Sequence, residues 1–179
     1  MTDVSDRYRR LAAEFTRRVD GVPAGGWGSP SPCAGWTALD VLRHVVETVS
    51  GVPTWAGLPP LAADGDPREA WPRVRDEMQA LLDDPARART EYDGFFGRTT
   101  LAESVDRFVG FDLLVHGWDV ARATGQDETL PAGEVRDVDA VAVGLGDNLR
   151  RDGVCGPPVE VPPDASEHDR LLALLGRRP

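Results

Sequence analysis

The sequence contains no lysine: all 20 of its basic residues are arginine. They face 30 acidic residues, giving a formal net charge of −10. No basic patch interrupts that excess, which argues against nucleic acid or an anionic membrane surface as a partner. The lysine-free, Ala-, Gly-, Pro- and Asp-rich composition reads as coding bias in a GC-rich genome. Cysteine is scarce too. Cys33 and Cys155 cannot make a disulfide framework. No apolar run approaches the length of a membrane span. The start, Met1-Thr2-Asp3-Val4-Ser5-Asp6, lacks the basic and apolar regions of a signal peptide. The expectation is a cytoplasmic protein with reduced thiols. At 179 residues the chain suits one domain, residues 1–179.

What is present is helical periodicity. Apolar residues at Val4, Tyr8, Leu11, Phe15 and Val19 predict a first helix over Asp3 to Val19. A loop rich in Gly, Pro and Ser follows, with Trp27 and Trp36 read as core anchors. Thr37-Ala38-Leu39-Asp40 is a capping box that opens a second helix, ended by Gly51-Val52-Pro53. A third helix is expected from about Arg68 to Asp83 behind an Asp66-Pro67 start, with Pro72 marking either its true start or a kink. Residues 85–99 read as irregular, with Tyr92, Phe95 and Phe96 around a glycine turn. Thr100-Leu101-Ala102-Glu103 caps a fourth helix that runs to about Ala123 and stops at Gly125. It is apolar on most sides and so central. A fifth helix is expected from Pro131 to about Arg151. Residues 153–179 form a tail with an extended segment at Val159–Pro163 and a helix capped by Ser166. The sum is an all-α four-helix bundle with this tail packed on it.

Chemistry concentrates on the central helix. Asp112 and His116 are four residues apart and share one helical face, in apolar surroundings. A buried carboxylate and imidazole need partners: each other, a metal or a network. His44 lies at the edge of the apolar stripe of the second helix. Taken alone it reads as a half-buried surface histidine. If the two helices meet, His44, Asp112 and His116 form a set for one divalent metal. Asp119 shares the face of His116 and is either an acceptor that orients the imidazole or a surface carboxylate. Gly117 allows close approach of a neighbouring helix or a ligand. Cys33, just before a helix N-terminus, is either a low-pKa thiol or a packed, inert one. His168, in a polar first turn, receives no role.

Three stretches carry a family resemblance. They are Trp27 with Ser29–Thr37 and Asp40–Val46, then Asp112–Gly125, then Pro158–Ser166 with Arg170–Arg177. Together they resemble the actinobacterial metal-binding proteins related to the N-terminal domain of mycothiol-dependent maleylpyruvate isomerase, in the DinB/YfiT-like superfamily. The resemblance implies an up-down four-helix bundle with zinc or nickel at one end. The ligands it implies are His44, Asp112 and His116, with Asp where the isomerase has Glu. That isomerase has a further C-terminal domain, and this chain ends at Pro179. Maleylpyruvate itself is therefore not the expected substrate.

Two histidines and one carboxylate leave the metal open positions, the mark of a catalytic site. An open position suits a thiolate, since a divalent ion deprotonates a bound thiol at neutral pH. The expectation is a mycothiol-dependent S-transferase or isomerase-like reaction on a small electrophile. Arg43 and Arg122 are candidates to hold the thiol, and a homodimer is one way to complete the pocket. The alternatives are a metal-dependent hydrolase and a non-catalytic metal- or ligand-binding protein.

Overall fold

A computed structural model describes residues 4–151 and 153–179. Asp3, where the first helix was expected to begin, lies outside them. The protein is mostly helical, as expected. Four long helices carry the core: α1 (Val4–Asp20), α2 (Ala38–Gly51), α3 (Pro67–Asp83) and, numbered in chain order below, α6 (Gly110–Thr124). Helix α1 packs on α3 and α6, and α2 packs on the same two, closing a ring around the buried apolar side chains.

Side-chain pairs give the helix senses. Gln79 of α3 bonds Ser5 and Trp71 bonds Thr16, so α1 and α3 are antiparallel. His44 of α2 faces Asp112, while Cys33, ahead of α2, reaches Asp119, so α2 and α6 are antiparallel as well. Arg7 packs over Gly110 and Arg18 over Gly117, so α1 and α6 run the same way. In chain order the four helices therefore run up, down, down, up, so α2 and α3 are parallel and the simple up-down alternation expected from the resemblance is not what is found. The connection over residues 52–66 is long enough to carry the chain back between the two helices of like sense.

Local signals explain most boundaries. Thr37 and Asp40 cap each other reciprocally at the start of α2. Asp66 caps α3, with Pro67 in the first turn, where a missing N–H costs nothing. Pro72 lies inside α3, which is unbroken from Pro67 to Asp83. Residues 85–99 are more ordered than expected. A single turn, α4 (Pro85–Ala88), leads into a hairpin of β1 (Glu91–Gly94) and β2 (Gly97–Thr100). Phe95 and Phe96 form its two-residue tip, and Gly97 takes the positive φ of +102° that closes it.

The central helix is not uniform. Thr100 and Glu103 make the second capping box, at α5 (Leu101–Ser104). A π-helical turn over Val105–Val109 follows, in which the Gly110 N–H bonds the Val105 carbonyl, before α6 resumes. The fifth expected helix is shorter than its pattern. Helix α7 (Ala132–Leu145) gives way to a 3-10 turn over Gly146–Arg150, because Gly146 adopts φ +52°. Val159–Pro163 forms no strand. Instead the Val159 N–H bonds the Ala173 carbonyl of α8 (Glu167–Leu174). Leu171, Leu172 and Leu175 then join the same apolar core as the long helices, with α8 packed on α7.

Candidate metal centre

Helices α2 and α6 meet where His44 and Asp112 face each other. His44 Nε2 is 3.4 Å from Asp112 Oδ2, and His116 Nε2 is 3.9 Å from Asp112 Oδ1. The two imidazole rings stand edge to face, 4.9 Å between centroids. One ligand atom from each of the three residues lies within 4.8 Å of the others. These separations exceed a good N–H···O bond. The shorter one equals the roughly 3.4 Å between two ligands in a tetrahedral site with bonds near 2.1 Å, and the longer exceeds it by about half an ångström.

The other nitrogen of His116 is committed. His116 Nδ1 donates to Asp119 Oδ2 at 2.9 Å, which leaves Nε2 turned towards Asp112. Asp119 is fully buried, so it is no surface carboxylate. It also accepts two hydrogen bonds from the Arg177 guanidinium, at 2.8 and 3.2 Å. Burial alone would raise the Asp119 carboxyl. His116 and Arg177 outweigh it and hold it down to about 2. The same contest runs at Asp112. Burial pushes it up, and the His44 and His116 imidazoles hold it below the ordinary carboxylate range. Asp112 in turn raises the His44 imidazole above its ordinary value, against burial.

Several neighbours were not legible as site residues. Trp36, read as a core anchor, is only half-buried and packs on the site instead. Its ring lies 5.2 Å from that of His44 and 6.3 Å from that of His116. Arg177 arrives from the tail after α8, 58 positions from Asp119 in sequence. Cys33 donates its thiol to Asp119 at 3.3 Å and accepts from Arg177 at 3.4 Å. Burial, with the Asp119 carboxylate beside it, pushes that thiol up to about 12. Cys33 is thus a packed thiol and not a low-pKa one. Arg43 and Arg122, the expected thiol holders, are exposed and lie off the cavity. Arg43 pairs with Asp40, while Arg122 lies over Trp118 and pairs with Glu128. Gly117 admits the buried Arg18 of α1: a Cβ there would sit 2.7 Å from its Nη1. Among the described residues the buried Nε2 of His168, far along the chain from this centre, has no partner.

His44, Asp112 and His116 open onto one cavity of about 1300 Å³. Its walls come from α2, the π turn, the hairpin and the segment after α7, and Arg177 reaches its floor. Among the described residues no helix is long and apolar enough to cross a membrane.

Most of the chain matches a known family. Residues 8–121 match the family described as the mycothiol maleylpyruvate isomerase N-terminal domain. Two uncharacterized proteins of Mycobacterium tuberculosis, from strains CDC 1551 / Oshkosh and ATCC 25618 / H37Rv, are similar over their length. Each is 31% identical over 183 residues, covering 95% of this chain and 95% of the relative. No solved structure matches the chain. With the family match spanning well over half its residues, this chain belongs to the mycothiol maleylpyruvate isomerase N-terminal domain family.

Proposed function

We propose that His44, Asp112 and His116 hold one divalent cation, and that the protein uses it in a reaction between a small thiol, mycothiol, and an electrophile. One observation carries this reading: two imidazole nitrogens and a carboxylate converge at the end of a cavity large enough for two small molecules. The donor set fits zinc or nickel, since imidazole and carboxylate suit both. When bound, the cation supplies an acceptor for a thiolate and lowers the pKa of the thiol it holds.

The chain's own residues do the rest. Asp119 accepts from His116 Nδ1–H, a contact that sets the tautomer of the neutral ring and turns Nε2 to the centre. Arg177 keeps Asp119 ionised inside the fold. Asp112 presents its carboxylate between the two imidazoles. Trp36 packs against both imidazole rings. Asp112 belongs to the donor set and Asp119 is held by His116 and Arg177, so neither of these two carboxylates is free to act as a general base on water.

The test is calorimetric titration of the zinc-loaded protein with mycothiol, repeated on Asp112→Ala. Binding that disappears with the metal supports the reading. Binding indifferent to the metal, or none at all, would leave a hydrolytic or a purely binding role.

A further inference from the structure

Large apolar side chains rarely stay exposed without a use, and a cluster of them marks a binding surface. Among the described residues, five large hydrophobic side chains are substantially exposed. Four of them, Trp55, Phe95, Phe96 and Val154, line the one cavity that begins at His44, Asp112 and His116. Val143 is the exception. The cavity thus has two chemically different ends.

The aromatic end is already assembled. Trp55 stands edge-on to Phe108 at 5.6 Å, and Phe96 lies nearly parallel to Phe108 at 6.4 Å. Phe95 meets Phe96 edge to face at 4.9 Å. These rings come from three separate elements: the turn after α2, the tip of the hairpin and the π turn. Two arginines lie over the outer rings. Arg107 sits 5.5 Å from the centre of Phe96, and Arg151 5.7 Å from that of Phe95. Both line the cavity.

We propose that this outer end is a binding site for a flat apolar ring carried by a small-molecule ligand. An exposed aromatic wall takes such a ring by offset and edge-on contacts. Placing the ring on the electrophile rests on the function proposed above. The ring site itself does not depend on it.

The probe is 1-naphthol, titrated calorimetrically into the metal-free protein. Saturable one-site binding is expected. It should weaken about tenfold, roughly 1.4 kcal/mol, in Phe95→Ala/Phe96→Ala, which removes two rings of the wall. Trp55→Leu, on a different element, should weaken it in the same direction should the hairpin variant fold poorly. The same aromatic variants should take up zinc like the parent, so that failure of the metal reading and failure of the ring site are told apart. Absence of saturable binding would overturn the inference, as would both aromatic variants binding like the parent. So would sedimentation showing a dimer that the same substitutions dissolve, because the wall would then belong to a second copy of the chain.

Discussion

The Nδ1–H of His116 points at Asp119 Oδ2, 2.9 Å away, and this contact decides which face of the imidazole serves the centre. Asp119 is itself held by Arg177, so a chain of three residues runs from the tail to the candidate ligand. Carboxylates behind ligating histidines orient the ring and raise its basicity.

The first prediction concerns metal content. After loading with zinc or nickel and desalting, His116→Ala should retain little metal by mass spectrometry. His168→Ala, on a helix outside the cavity, should match the parent. Equal metal in the two variants would dismiss the assignment of His116.

Asp119→Asn should keep all three proposed ligands and still weaken metal binding. The loss expected for such a supporting contact is roughly 10- to 100-fold, read by competition with a chelator. Nitrogen chemical shifts of the metal-free parent should show His116 protonated on Nδ1. A parent His116 protonated on Nε2 instead would contradict the geometry.

Removing Arg177 leaves a fully buried carboxylate without its cation. Breaking a buried pair in this way costs about 3–5 kcal/mol. Urea unfolding of Arg177→Ala should show a loss of that size, and Arg177→Lys should recover part of it. Arg43→Ala, at an exposed ion pair, should change stability by less than about 0.5 kcal/mol. A comparable small effect at Arg177 would mean that the tail does not support the site.

The Cys33 thiol, pushed up to about 12, should stay protonated at neutral pH. Its alkylation by iodoacetamide in the folded, metal-free protein should be slow at pH 8 and rise steadily as the pH is raised towards 12. Peptide mass spectrometry reads the site directly. Fast modification at pH 7 would show a thiolate that this geometry does not allow.

Much of this molecule is local and was therefore legible. The capping boxes at Thr37 and Thr100 and the stop at Gly125 depend on residues a turn apart, so short sequence windows reveal them. The Asp112 and His116 spacing is likewise a property of one helix. What escaped is long-range or contrary to local preference. Arg177 reads as a surface residue near the end of the chain, and only the docking of α8 carries it under Asp119. Phe95 and Phe96 are poor turn residues, and the hairpin they close was read as irregular. Trp36 looks like any apolar anchor until α6 brings His116 beside it. Arg43 and Arg122 sit on the right helices, but on faces turned towards exposed carboxylates.

The π turn at Val105–Val109 holds one residue more than an ordinary helical turn would. In genetic terms it is an insertion, and its effect falls on everything downstream. Deleting one codon between Ser104 and Gly110 would restore regular winding and rotate Asp112 and His116 about 100° around the axis relative to Leu101. They would then leave the side where His44 waits. The frame of that single turn separates a helix that carries a centre from one that merely fills a core.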